Sequence, residues 1–333
     1  MEKSKKILVN IFQETTKIFW ILFKVILPVV IIIRILELIG AIPFLAKFLE
    51  PLTSFIGIDG SLGLVWMAAI LVNIYAGLAA FASLQAIFDY TIAETTILGL
   101  IILIAHSLPI EVAIAKKSRI SWVFNLTFRF VNAVIAGKIL NLIFTNYNLF
   151  NEPNNSILQV PIKDVSNLEW AISQLQNFFL IFLIIFFIIS TINILKTIGI
   201  WKFIINTLKI PLSYLGMSEK VANIILIGLT LGISFGGGFL IEESRKNNIS
   251  KKDILLSLSF LSLCHSIIED TILILLLGSH ISGILFFRFI YTVIVILIMK
   301  VLLETKMQKF ILSKITYGQL YSISSLLNLS NTK

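Results

Sequence analysis

The sequence predicts an all-α integral membrane protein made of two inverted repeats, each with three spans, one re-entrant hairpin and an interfacial helix. Three observations carry that prediction: the hydrophobic content, the placement of the basic residues and an internal similarity at a fixed offset. Of 333 residues, 57% are hydrophobic and 14% are charged, against about 25% charged in a typical soluble domain. Mean hydropathy is +0.97. This composition excludes a soluble globular enzyme, a disordered chain and a nucleic-acid-binding module. The single cysteine, Cys264, excludes an internal disulfide. The Ile-, Lys- and Asn-rich usage points to an AT-rich bacterial genome.

Apolar segments fall at 18–38, 62–88, 95–115, 120–145, 178–195, 221–243, 254–278 and 283–303. The first is too long for the apolar region of a signal peptide and carries Lys24 and Arg34, so it reads as a span. Amphipathic stretches at 44–55 and 200–214 read as interfacial helices. The expected division is a first repeat at 1–146, an external polar loop at 147–177, a second repeat at 178–304 and a cytoplasmic amphipathic tail at 305–333.

The basic residues decide how many segments cross. If all eight do, Lys116, Lys117 and Arg119 fall opposite the cluster at 245–252. If 62–88 and 221–243 instead return to the side they entered from, six segments span. The side of the termini then collects 19 Lys and Arg, and the other side only Lys47 and Lys163. The positive-inside rule places both termini in the cytoplasm, in the bacterial inner membrane. The net charge of +9 becomes a topology signal and an attraction to anionic lipid. Gly77 in the first candidate hairpin and Gly236 and Gly237 in the second supply the backbone freedom a reversal needs. Close packing between ordinary helices would use the same glycines.

The chain repeats itself at an offset of 159 residues. Gly57 maps to Gly216, Gly77 to Gly236, His106-Ser107 to His265-Ser266, and Glu111 to Asp270. Phe128-Arg129-Phe130 maps to Phe287-Arg288-Phe289. Two of the three histidines thus occupy equivalent positions beside a matching serine. Three spans per copy is an odd number, so the second copy enters the membrane upside down. Secondary transporters use this arrangement and bind solute near the midplane.

His106 lies about nine residues from the cytoplasmic end of its span, roughly 13 Å deep at 1.5 Å per residue. Pro109 cannot donate to the Ala105 carbonyl, so this span is expected to break there and offer that carbonyl to a ligand. In the second copy, Cys264, His265, Ser266, Glu269 and Asp270 crowd mid-span. Ionisable groups at such depth are costly and mark function by default. Glu111–Arg129 and Asp270–Arg288 read either as structural ion pairs or as part of the site. The expected solute-binding set is His106, Ser107, Glu111, Gly77, His265, Ser266, Glu269, Asp270, Gly236 and Gly237. A soft metal site of Cys264, His265 and Glu269 stands as the alternative. No catalytic or nucleotide-binding signature occurs, so neither an enzyme nor a cofactor is expected.

The segments AHSLPIEVA (105–113) and CHSIIEDT (264–271), in the order hairpin, broken span, span, resemble the nucleoside-recognition or Gate domain family. That family is related to concentrative nucleoside transporters, to the gate region of ferrous-iron permeases and to spore maturation membrane proteins. The resemblance covers roughly residues 18–303 and implies a transporter scaffold, a nucleoside-like solute and a homo-oligomer. The tips 75–81 and 234–239 lack the Gln and Glu that concentrative nucleoside transporters use, and the iron-permease gates rely on cysteines, of which this chain has one.

The resulting expectation is a secondary transporter of a small polar solute, with proton coupling through His106, His265 or Glu269, since histidine titrates near neutrality. A divalent metal-ion permease and a non-transporting assembly or maturation factor are the alternatives. The six-span topology has a direct reporter test. Green fluorescent protein fused after Lys333 is expected to fluoresce, and alkaline phosphatase inserted at Asn154 to be active. The eight-span alternative also keeps both termini on one side, but it moves residues 116–119 to the opposite face and Asn154 to the side of the termini, where the phosphatase insertion would be inactive.

Overall fold

The computed structural model describes residues 2–85, 88–158, 167–197, 212–233, 240–244, 249–305 and 308–316. Among these residues every element is helical, apart from two isolated bridges, Thr91 with Pro153 and Ile120 with Thr316. Gly236, Gly237, most of the second amphipathic stretch and the tail from residue 317 lie outside the described residues.

The first half opens with α1 (Glu2–Leu38), 37 residues long, or about 55 Å at 1.5 Å per residue. That exceeds a hydrocarbon core of roughly 30 Å. α2 (Ile42–Ile56) and α3 (Gly60–Leu71) follow, bent by 92° to one another. Asp59 makes the corner by accepting from the Ser61 N–H at the start of α3. α2 is the first expected interfacial helix. Its Phe44 and Phe48, one turn apart, are 74% and 76% exposed, whereas Lys47, Glu50 and Ser54 line a polar cleft with Asp59 and Glu94.

Only Val72 and Asn73 separate α3 from α4 (Ile74–Leu84), and Asn73 caps α4 through the Ala76 N–H. The two helices lie against each other: a Cβ on Gly77 would sit 2.9 Å from the Ala69 Cβ and 3.5 Å from the Val65 carbonyl. In the structure Gly77 therefore serves close packing between these helices. α5 (Ile92–Ile104) starts on a capping box of Thr91 and Glu94 and is buried on every face from Thr95 onward, as a helix apolar all round should be. α6 (Leu108–Lys117) continues after a break, with Pro109 in its first turn, where a missing N–H loses no hydrogen bond. α7 (Trp122–Asn146) closes the half.

The second half contains α8 (Asn167–Thr197), α9 (Glu219–Leu231), α10 (Lys251–Leu263), α11 (Glu269–Leu275), α12 (Ser282–Glu304) and α13 (Gln308–Ile315). α8 starts inside the stretch expected as external loop, because polar residues 167–176 include Glu169, which favours a helix N-terminus. The segment 254–278, expected as one continuous span, is divided into α10 and α11. Helix bounds recur at the 159-residue offset: 92–104 corresponds to 251–263, and α3 and α9 start at equivalent residues.

The bundle has two distinct ends. At one, the Ile92 N–H donates to the Glu152 carbonyl, Ser279 Oγ to the Thr95 carbonyl and Asn154 to the Leu277 carbonyl. At the other, the Ser121 N–H donates to the Ile315 carbonyl and Ser244 to the Ser118 carbonyl, and Arg119, Lys251 and Thr316 share a small cavity. α5 starts at the first end, α10 starts at the second, and both run inward and stop in the middle.

Residues 92–117, 122–146 and 282–304 are each long and apolar enough to cross a membrane. α7 exposes Val131, Ile135 and Ile139 in one stripe, and α12 exposes Ile290, Ile294 and Ile298 at the equivalent positions. These stripes face lipid. The chain is a multi-pass membrane protein.

Gly99 marks how tightly the two halves meet at the centre of α5. A Cβ there would lie 2.9 Å from Ser279 Oγ and 3.1 Å from the Ile284 Cγ2. Gly99→Val is expected to destabilise the protein by about 1–3 kcal/mol, the usual cost of overpacking, read as a lower thermal midpoint in detergent. An unchanged midpoint would contradict this contact between the halves.

Candidate functional site

Each half interrupts an apolar helix at its middle in the same way. Ala105 (φ −136°, ψ 76°) ends α5 and Cys264 (φ −144°, ψ 80°) ends α10. Two residues on, Ser107 and Ser266 hold φ of 49° and 46°. This left-handed conformation costs an ordinary residue about 1–2 kcal/mol. Neighbouring helices hold the chain there: the Ser107 N–H donates to the Ala69 carbonyl of α3 at 2.9 Å, and the Ser266 N–H to the Gly228 carbonyl of α9 at 3.2 Å.

A helix that ends inside a membrane leaves its last carbonyls without partners, and lipid offers none. At the end of α5 each of them is satisfied. Ile101 receives the Ala105 N–H, Ile102 the His106 Nδ1–H at 2.8 Å, Leu103 the Arg288 Nη2 at 3.1 Å and Ile104 the Arg129 Nε at 2.8 Å. The Ala105 carbonyl receives the Trp66 indole N–H at 3.2 Å. It is therefore not open to a ligand as expected from the sequence, because the indole of α3 reaches it first. At the end of α10 the pattern returns. His265 Nδ1 bonds the Leu261 carbonyl at 2.7 Å, and Arg288 donates Nε to Leu263 at 2.8 Å and Nη2 to His265 at 3.0 Å.

Arg129 and Arg288 are completely buried side chains that cap helix C-termini, where positive charge is favoured. Arg129 also forms a buried ion pair with Glu111 Oε2. The second expected ion pair differs: among the described residues Arg288 forms none with Asp270. Its Nε and Nη2 donate to three carbonyls and so tie both helix ends together, while its Nη1 has no hydrogen-bond partner among the described residues.

These caps fix where the histidines point. A carbonyl can only accept, so each Nδ1 carries the hydrogen, and in the neutral ring each Nε2 presents a lone pair. The two rings face each other with centroids 5.1 Å apart. Between them stand two carboxylates, each from the first turn of the helix after a break. His106 Nε2 is 3.6 Å from Glu111 Oε1 and 3.8 Å from Asp270 Oδ2; His265 Nε2 is 3.6 Å and 3.7 Å from the same atoms. None of these distances is a hydrogen bond, and Asp270 Oδ2 has no hydrogen-bond partner.

The structure thus gathers His106, Glu111, His265 and Asp270 at one point, with Arg129 and Arg288 behind them. Ser107 and Ser266 shape the breaks through their backbones. Glu269 stands apart from the four and accepts from the Tyr75 hydroxyl of α4 at 3.3 Å. Of the alternative metal set, only His265 joins the convergent group. Sequence reasoning missed Trp66 and the pair Asn132–Tyr291, whose side chains bond at 2.8 Å. Those two positions are themselves 159 residues apart, a signal that the offset comparison could have used.

No family model matches the chain, and no solved structure matches it at a significant level. The chain is similar to the uncharacterized membrane protein YvoD of Bacillus subtilis (strain 168). The two are 26% identical over 287 residues, covering 83% of this chain and 87% of that protein.

Breaking a buried ion pair from one side strands the other charge and costs about 3–5 kcal/mol. Arg129→Met is expected to cost that much, measured by denaturant unfolding in micelles, since it also uncaps Ile104. The double variant Arg129→Met/Glu111→Met is expected to recover part of the loss. A single variant as stable as the parent would contradict the capping role.

Proposed function

We propose that the protein is a secondary transporter of a small polar solute, and that the solute passes through the point where the two interrupted helices meet. One observation carries the reading: six ionisable side chains from both halves are buried together where two membrane helices stop. An unbroken helix satisfies its own backbone and needs no such groups. Polar groups at this depth are costly, and where they persist they mark solute and ion paths.

We read the two halves as inverted repeats, with α3–α4 as one re-entrant hairpin and the sequence-equivalent segment 221–243, part of which lies outside the described residues, as its expected counterpart. Three features support this. Helix bounds, serine conformations, arginine caps and lipid stripes recur at one offset. Equivalent residues meet, His106 with His265 and Asn132 with Tyr291, as they do across a two-fold axis. α5 and α10 enter from opposite ends. Inverted repeats put the solute site between them, and transport proceeds by one part rocking against the other. The charge distribution puts both termini in the cytoplasm. The resemblance to Gate domain proteins agrees with this scaffold.

Alternating exposure of the centre tests the reading without knowledge of the solute. In a Cys264→Ser background, Ser107→Cys and Ser266→Cys are placed in sealed vesicles of known orientation. A membrane-impermeant thiol reagent is expected to label each from both sides in turn. No labelling from either side under any condition would overturn the permease reading and favour a scaffold without transport.

A further inference from the structure

The geometry points to a divalent first-row transition cation as the ligand of the central site, held by His106, His265, Glu111 and Asp270. The ion's passage rests on the permease reading above; its binding does not.

Four electron-pair donors converge on one point from opposite sides. All four side chains are buried, and every histidine-to-carboxylate distance is 3.6–3.8 Å. The donor atoms of His106, His265 and Asp270 all lie within 4.8 Å of one another. A tetrahedral ion with bonds of about 2.0–2.1 Å sets its ligands roughly 3.3–3.4 Å apart, close to the four histidine-to-carboxylate distances; Glu111, which falls outside the 4.8 Å group formed by the other three, has to move further inward to complete the set. Left to themselves, four acceptors with no hydrogen between them repel. A shared cation turns the same arrangement into an attraction.

The surroundings are those of a prepared metal site. Ligating histidines characteristically donate their second ring nitrogen to a carbonyl or carboxylate, which fixes tautomer and ring direction. Both histidines do so here, to the carbonyl four residues back. Arg129 engages Glu111 Oε2 and leaves Oε1 facing the centre. Asp270 Oδ2, buried and without a hydrogen-bond partner, faces it too.

The donor set chooses the ion. Two imidazoles and two carboxylates suit Mn²⁺, Fe²⁺, Co²⁺ or Zn²⁺. Mg²⁺ retains several waters and Ca²⁺ takes six to eight oxygens, neither of which this set supplies. Cys264, adjacent to His265, is not among the converging donors, which argues against a thiolate-selected ion. The two arginines offset the two carboxylates, so an arriving ion adds uncompensated positive charge to a buried place. That weakens binding, and a permeation site has to release what it binds.

The test uses the full-length chain, purified, stripped with chelator and loaded with Co²⁺ or Zn²⁺ in micelles. One equivalent per chain is expected, with intense visible Co²⁺ bands of a four-coordinate site and a raised thermal midpoint. Mg²⁺ and Ca²⁺ are expected to do neither. His106→Ala, His265→Ala and Asp270→Asn should each weaken binding at least tenfold, the scale on which even supporting residues act. Cys264→Ser, and His280→Ala at the exposed third histidine, should leave it unchanged. Variants that retain the parental midpoint without metal but lose the metal-induced rise separate ligand loss from misfolding. Absence of a stoichiometric Co²⁺ or Zn²⁺ site, or a site that survives the double variant His106→Ala/His265→Ala, would overturn the inference. Metal bound at a centre that thiol reagent never reaches would uphold the site and sink the permease; alternating access without metal would do the reverse.

Discussion

A carbonyl group in hydrocarbon must find a donor, and the rest of this structure follows from that constraint. Stopping α5 and α10 in mid-membrane leaves two sets of helix-terminal carbonyls where no water can reach them. Arginine, histidine and tryptophan side chains answer them one by one. The answer brings charge with it. Two buried guanidiniums call for two carboxylates, which arrive on the first turns of α6 and α11. The histidines cap with one nitrogen, and so their other nitrogen must face the carboxylates. The polar centre is therefore not added to the fold but produced by the manner in which the helices end.

The same logic separates structural from chemical roles. Arg129 and Arg288 face helix ends, and their contacts are backbone carbonyls and one carboxylate. Ser107 and Ser266 shape the breaks through their left-handed backbones, which α3 and α9 hold in place, and the Ser266 side chain also engages Asp270. What faces the centre is a lone pair on each histidine and an oxygen on each carboxylate. These four atoms meet across the boundary between the two halves, so neither half contains a complete site. In the proposed permease, a rocking motion of one half against the other would assemble and dismantle it.

Much of this was legible in the sequence. The doubled His-Ser motif, its following acid and the arginine one helix later gave the members of the centre and their common depth. Pro109 announced the first break. The second break was not announced, because position 268 is isoleucine; there the arginine cap and the left-handed serine suffice without proline. That comparison shows proline to be an accessory to the first break rather than its cause. Trp66 was illegible because a tryptophan in an apolar segment looks the same whether it faces lipid or a carbonyl. The partners of Arg288 were illegible for a related reason. A sequence pairs charges with charges, whereas the buried guanidinium found backbone.

X-ray absorption at the zinc edge of the loaded protein tests most directly whether the two interrupted helices build one centre. Two imidazole nitrogens and two oxygens at about 2.0–2.2 Å, with no sulfur, is the result that a site shared equally by both halves requires. A sulfur neighbour from Cys264, or a single imidazole, would mean that the ion sits in one half alone, and the account of a jointly built centre would fail.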